Sequence, residues 1–85
     1  MKSVEIYTTP ICGYCAHAKK LLSQKGVSYA EINVMVRPAK HAQMKHRAKG
    51  RTSVPQIFIG GKHIGGCDEL YALERNGKLD AILAA

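Results

Sequence analysis

Alternating apolar and polar residues predict a β-strand at the start of the chain, over Val4–Thr8. The pattern then changes to helical spacing, and Cys15, Ala18 and Leu22 fall on one face of a helix predicted over residues 12–25. The chain therefore begins with a strand that leads directly into an amphipathic helix.

The middle of the chain predicts another strand and another helix. The strand covers residues 28–34, and its apolar residues on one face are Ala30, Ile32 and Val34. The helix covers residues 38–48, and it begins at a proline, which suits the first helical turn. Its apolar face is weak, so its boundaries are less sharply defined.

The last third of the chain predicts a hairpin followed by helix. Residues 56–59 and 62–64 flank two glycines that suit a tight turn. A third helix begins near Cys67 or Asp68 and ends at Asn76, and residues 79–84 form a last helical turn. We therefore expect an α/β fold in one domain over residues 1–85, with βαβ followed by ββα in a four-stranded mixed sheet flanked by helices.

Composition and charge exclude some classes of binding partner for this protein but do not select one. The chain has 46% hydrophobic and 22% charged residues, which is typical of a globular domain. No apolar run approaches the ~18–20 residues that cross a bilayer, and Glu5 interrupts any leader-like segment. We therefore expect a cytoplasmic protein without membrane contact. The net charge of +7 suits an anionic partner such as nucleic acid, a membrane surface or a small polyanion.

Two cysteines lie at the junction between the first strand and the first helix. Cys12 stands at the helix start, where unpaired N–H groups and the helix dipole favour a thiolate, the attacking species in disulfide exchange. Cys15 follows about one helical turn later, close enough to form a disulfide with Cys12. It also belongs to the apolar stripe, so we expect an exposed attacking thiol and a shielded resolving thiol.

A structural zinc site is the alternative for this pair. Zinc sites of that kind usually take four ligands, and no second cysteine pair at zinc spacing is present. The remaining candidate ligands are Cys67, His17, His41, His46 and His63. A lone C-x-x-C motif beside a βαβ pattern favours redox chemistry over zinc.

Residues 37–51 are the most basic stretch of the chain. A nucleic-acid surface would fit this charge, but no aromatic residue lies between Met35 and Ser53 to stack on bases. A solvated helix face that also attracts anionic substrates is favoured, and we expect no nucleic-acid partner.

Three segments together resemble the glutaredoxin family, and the match covers the whole chain. They are Cys12-Gly13-Tyr14-Cys15, Thr52-Ser53-Val54-Pro55 and Gly65-Gly66-Cys67-Asp68. The likeness is greatest to the small bacterial dithiol glutaredoxins. It implies a thioredoxin-like fold and a glutathione-dependent thiol-disulfide oxidoreductase, with Cys12 as nucleophile and Cys15 as resolving thiol.

The resemblance also implies a glutathione site. Pro55 resembles the cis-proline beside the active cysteines, and the backbone of Val54 would pair with the cysteine of glutathione. Asp68 would face the ammonium of the γ-glutamyl end. The implied glutathione-binding residues are Tyr14, Ser53, Val54, Pro55, Cys67 and Asp68. Cys67 by itself is typical of a small buried hydrophobic residue at a helix start.

Two departures from the family pattern affect the expected partners. Gly13 stands where proline is commonest in the family. Members that lack this proline resemble the glutaredoxins in which a [2Fe–2S] cluster is bridged between two subunits. The first active-site cysteine of each subunit, here Cys12, binds the cluster in that arrangement. Thr9 stands where many members carry a lysine that contacts glutathione, and Arg51 is a candidate to replace it. The resemblance implies glutathione as co-substrate, glutathionylated or disulfide-containing proteins as partners, glutathione reductase as an indirect partner, and a monomer without a resident metal.

Overall fold

Four strands and four helices lie within residues 2–84, the part of the chain that the computed structural model describes. The elements are β1 (Val4–Thr8), α1 (Gly13–Gln24), β2 (Ala30–Asn33), α2 (Pro38–Arg47), β3 (Gln56–Ile59), β4 (Lys62–Gly65), α3 (Cys67–Arg75) and α4 (Leu79–Ala84). This is the βαβ and ββα order predicted from the sequence, and that prediction is confirmed.

The strands form a four-stranded sheet in the order β2-β1-β3-β4. β1 runs parallel to β2 and antiparallel to β3, and β3 pairs with β4 in an antiparallel hairpin. The parallel pair arises because α1 carries the chain back across one face of the sheet before β2 begins. The mixed sheet flanked by helices is therefore confirmed.

β2 differs most from the sequence prediction. The strand covers Ala30–Asn33, which is shorter than the predicted residues 28–34. Ile32 packs against the core and Val34 is buried just beyond the strand, but Ala30 is exposed. The predicted apolar face of this strand is thus wrong at its first position, because β2 lies at the edge of the sheet and its start is uncovered.

Two apolar clusters cover the two faces of the sheet. The larger cluster includes Ile6, Leu22, Ile57 and Leu70, and it joins the sheet to α1, α3 and α4. The smaller cluster consists of Tyr7, Val34, Met44, Ala48 and Phe58. It holds α2 against the opposite face, where Met44 is the one buried residue within the helix.

A charged side chain supports the weakly apolar helix α2. Arg47 donates to both carboxylate oxygens of Glu5, at 2.9 and 3.2 Å, and to the Tyr7 hydroxyl at 2.7 Å. Its guanidinium also lies 4.0 Å from the centroid of the Phe58 ring. Bidentate pairing and stacking on an aromatic ring suit the planar guanidinium. The helix is therefore fixed by a polar cluster as well as by Met44.

None of the helices within residues 2–84 combines the length and the apolar character that crossing a membrane requires.

The junction between β4 and α3 requires glycine. Gly65 has a φ of +121°, and a Cβ there would lie 2.5 Å from Oε1 and 2.8 Å from Cγ of Glu69. Glu69 uses the same oxygen to accept a hydrogen bond from the Gly66 N–H at the start of α3. The absence of a side chain at residue 65 thus makes room for the carboxylate that caps this helix.

We expect Gly65→Ala to lower the free energy of unfolding by about 2 kcal/mol or more, because it adds both backbone strain and a steric clash. The matched control is Gly61→Ala, where φ is +81° but no atom lies within 4 Å of the new Cβ. That variant should lose only about 1 kcal/mol, the cost of the left-handed backbone. Urea unfolding of both variants measures the difference, and equal losses would show that the contact with Glu69 is unimportant.

Candidate active site

Cys12 caps the N-terminus of α1. Its backbone is extended, with φ −149° and ψ 105°, and its Sγ accepts a hydrogen bond from the Cys15 N–H at 3.1 Å. The thiol also lies 3.8 Å from the Val54 carbonyl oxygen, to which it donates. A helix start leaves N–H groups without intrahelical partners, and here a sulfur satisfies one of them. The predicted placement of Cys12 at the strand-to-helix junction is confirmed.

Cys15 follows Cys12 by three residues and is buried in the core. Its exposed fraction is 1%, as the apolar stripe predicts, whereas Cys12 is partly exposed. Burial raises the pKa of the Cys15 thiol to about 12, and its hydrogen bond to Cys12 acts in the same direction. The two thiols therefore differ in access, and Cys15 stays protonated at neutral pH.

An open groove lies beside Cys12, between the loop before β3 and the start of α3. The residues that line this groove are Tyr14, Arg51, Ser53, Val54, Pro55, Cys67, Asp68 and Glu69. The structure thus brings together all six residues that the resemblance assigns to glutathione. The Val54–Pro55 peptide bond is cis, as predicted. These residues come from three separate segments of the sequence, and the fold makes them one surface.

Two charged residues join these six in the groove: Arg51, the candidate to replace the lysine of the family pattern, and Glu69, which the resemblance does not assign to the site. Glu69 Oε1 accepts from the Gly66 N–H at 2.6 Å and from Arg51 at 3.1 Å. The Gly66 N–H is the largest cause that lowers the pKa of the Glu69 carboxyl, and Arg51 adds to it. An acidic residue at the third helical position is a known capping signal, so the role of Glu69 was readable from the sequence.

Cys67 and Asp68 share the start of α3 but differ in access. Cys67 is buried, which confirms the expectation from its sequence context, and Asp68 is exposed. Burial raises the pKa of the Cys67 thiol, and the nearby Asp68 carboxylate adds to this effect. Cys67 therefore lines the groove as a buried, protonated thiol, and Asp68 presents its carboxylate to solvent.

The residues that depart from the family pattern differ in their position relative to the groove. Thr9 is not among the residues that line the groove, whereas Arg51 is. Gly13 is the first residue of α1 and is exposed, and a Cβ at this position would meet no atom within 4 Å.

No three His, Cys, Asp or Glu residues lie close enough together to hold a metal ion within residues 2–84.

Comparison with known proteins agrees with this geometry. The family model of the glutaredoxins matches residues 4–64. The chain is 54% identical over 85 residues to a glutaredoxin of Pseudomonas aeruginosa, with 100% of both chains covered. It is 55% identical over 83 residues to glutaredoxin 3 of Escherichia coli, with 98% of this chain and 99% of the relative covered. The structure of a buckwheat glutaredoxin–glutathione complex superposes with a TM-score of 0.89 at 37% identity, covering 98% of this chain and 77% of the other, and confirms the thioredoxin-like fold.

We expect iodoacetamide to alkylate Cys12 of the reduced protein first, and Cys15 much more slowly. Alkylation needs an accessible thiolate, and a thiol with a pKa of about 12 carries almost none at neutral or mildly alkaline pH. Raising the pH within that range should therefore leave Cys15 slow. Peptide mass spectrometry over a time course measures both rates, and equal labelling of Cys12 and Cys15 would contradict the assignment.

Proposed function

Because the chain belongs to the glutaredoxin family, we propose that it reduces glutathione mixed disulfides and protein disulfides, with Cys12 as the nucleophile and Cys15 as the resolving thiol. The observation that carries this proposal is the contrast between the two thiols. Cys12 is partly exposed beside a groove, whereas Cys15, whose backbone N–H bonds to the Cys12 sulfur, is buried.

The charges of the groove suit a zwitterionic ligand such as glutathione. Asp68 and Glu69 carry negative charge and Arg51 carries positive charge, so the ammonium and the carboxylates of glutathione each have a possible counter-charge. Of the two acids, Glu69 is already hydrogen-bonded to the start of α3, whereas Asp68 is not. We therefore assign Asp68 to the γ-glutamyl ammonium. Many family members contact a carboxylate of glutathione through a lysine at the position of Thr9. Arg51 is our candidate to supply that contact in this chain.

The backbone of the loop before β3 supplies the remaining contacts in this proposal. The Val54 carbonyl lies 3.8 Å from Cys12 Sγ, which is close enough for a disulfide-linked cysteine to lie beside the Val54 backbone. Tyr14, 67% exposed, would lie along the tripeptide. The N–H groups at Cys67 and Asp68 would receive the carboxylate at the γ-glutamyl end, because helix starts bind anions.

Reduction of a glutathionylated substrate needs only Cys12. Its thiolate attacks the glutathionyl sulfur, a new S–S bond forms, and the substrate leaves as a thiolate that takes up a proton. A second glutathione then attacks the Cys12 adduct and is itself oxidised to glutathione disulfide. The reaction consumes one free glutathione, because the other half of the glutathione disulfide is the group removed from the substrate, and the enzyme returns to its starting state.

Reduction of a protein disulfide also uses Cys15. Cys12 first forms a mixed disulfide with the protein substrate, and Cys15 then attacks Cys12 to release the reduced substrate. Cys15 must lose its proton in this second step, and burial, which raises the pKa of that thiol, opposes the loss. Glutathione afterwards reduces the Cys12–Cys15 disulfide.

The proposed electron source is the glutathione pool. Glutaredoxin potentials lie at about −200 to −230 mV, within reach of glutathione in the cytoplasm. Glutathione reductase would act on the product rather than on this chain. We propose a monomer that works in such a reducing compartment, with glutathionylated and disulfide-containing proteins as its substrates.

We expect Cys12→Ser to abolish both reactions, because it removes the nucleophile. Cys15→Ser should retain reduction of a glutathionylated peptide and lose reduction of a disulfide-bonded protein by the dithiol route. Assays coupled to NADPH and glutathione reductase measure both substrates. Equal loss of peptide deglutathionylation in both variants would overturn the division of labour.

We expect Asp68→Ala to raise the KM for glutathione about ten-fold, the usual effect of losing a charge-assisted contact. The matched control is Asp80→Ala, which removes another exposed acid in the first turn of a helix, at α4. The control should leave the KM for glutathione unchanged. An unchanged KM in Asp68→Ala would show that the γ-glutamyl end is held elsewhere.

Gly13 favours a second candidate function, a [2Fe–2S] carrier or sensor formed by two subunits. Such a cluster takes four thiolates. Cys12 is the one partly exposed cysteine of this chain, because Cys15 and Cys67 are buried. One chain thus offers one accessible thiolate, and two chains with two glutathiones would supply four. Glycine at residue 13 has more backbone freedom than proline, and we infer that this freedom lets the Cys12 sulfur turn outward toward a second subunit.

We expect Gly13→Pro to fold normally and to lose any cluster. Proline suits the first position of a helix, so α1 should be retained, but the loop loses its conformational freedom. Anaerobic reconstitution with iron, sulfide and glutathione tests the idea by visible absorbance and by the mass of the complex. A colourless monomer from the unaltered protein would leave Cys12 as a redox nucleophile only.

A further inference from the structure

Gln56 is a fully buried polar residue next to the groove. It follows Pro55 directly, at the start of β3, and its exposed fraction is 0%. Its amide nitrogen donates to the Ser53 carbonyl at 3.0 Å and to the Ser53 hydroxyl oxygen at 3.3 Å. Its amide oxygen lies 2.8 Å from Nε2 of His63, on β4. A chain of hydrogen bonds therefore connects β4 to the loop that lines the groove.

The direction of these hydrogen bonds follows from the chemistry of the groups. The Ser53 carbonyl oxygen accepts and never donates, so the Gln56 amide must present its nitrogen to it. The amide oxygen of Gln56 then faces His63, and it also only accepts. His63 must therefore carry a proton on Nε2. The donors run from His63 through Gln56 to Ser53.

The surroundings of His63 keep its ring in place and neutral. The ring lies against Phe58, with centroids 5.0 Å apart and planes 31° apart. Burial lowers the pKa of His63, and the nearby cations Arg51 and Lys49 lower it further, against the smaller opposing effect of Glu69. The neutral ring carries its one N–H proton on Nε2, so Nδ1 is unprotonated.

The consequence for the groove concerns the Ser53 hydroxyl. Its oxygen accepts a hydrogen bond from Gln56, so its own proton is free to point away from Gln56, toward a ligand. We propose that Gln56 and His63 are positioning residues that hold Ser53 as a hydrogen-bond donor for a carboxylate of glutathione. This inference rests on the proposed function, because the ligand of Ser53 is a carboxylate of the glutathione that is proposed to bind in the groove.

Gln56→Met tests whether this chain of hydrogen bonds affects glutathione binding, since methionine has a similar length but no hydrogen-bonding amide. The KM for glutathione should rise about five-fold, the usual effect of one hydrogen bond, with kcat nearly unchanged. The alkylation rate of Cys12 should also be unchanged. The matched control is Gln43→Met, which loses the 2.7 Å bond to the Tyr7 hydroxyl on the other side of the sheet. The control should keep its KM, and equal KM values in both variants would overturn the proposal.

His63→Phe gives a second variant, which keeps a ring beside Phe58 but removes the donor to Gln56. It should raise the KM for glutathione in the same direction as Gln56→Met, and an unchanged KM would count against the proposal.

Nitrogen NMR of the imidazole tests the hydrogen-bond direction without any enzyme assay. The His63 ring should show the Nε2–H tautomer at neutral pH, and Gln56→Met should shift the Nε2–H proton resonance upfield because the hydrogen bond to the amide oxygen is lost. A ring protonated on Nδ1 instead would overturn the inference. If the protein fails to use glutathione at all, the proposed function fails, whereas the NMR result still decides how Ser53 is held.

Discussion

The contact on which the site depends is the hydrogen bond from the Cys15 N–H to the Cys12 sulfur. A helix start leaves backbone N–H groups that need an acceptor, and here the acceptor is the sulfur itself. The contact fixes the position of the sulfur at the start of α1. The sheet then brings the Val54 carbonyl to the same point, and α3 adds its own N-terminus on the far side of the groove.

Much of this arrangement can be read from the sequence, because its causes are local. Helical spacing places Cys15 with Ala18 and Leu22, and all three are buried. The two glycines between β3 and β4 give the hairpin, and the proline at the start of α2 marks that helix. β2 is where local patterning fails, since burial of Ala30 depends on whether another element covers the edge of the sheet.

The parts that sequence reasoning missed depend on contacts across the fold. Arg51 and Glu69 are 18 residues apart, and their pairing requires the loop before β3 to lie against the start of α3. Gln56 reads as an ordinary polar residue in an apolar strand. Its role becomes visible only when Ser53 and His63 are seen on either side of its amide. Spacing alone does not show which long-range polar partners a buried amide will find.

The central claim is that Cys12 and the groove beside it together hold glutathione. The most direct measurement is the structure of Cys15→Ser trapped as its mixed disulfide with glutathione. We predict that the tripeptide lies in the groove, with its cysteine beside the backbone of Val54 and its γ-glutamyl ammonium against Asp68. A glutathione that is bound to Cys12 but lies outside the groove, without contact to Val54 or Asp68, would contradict the account.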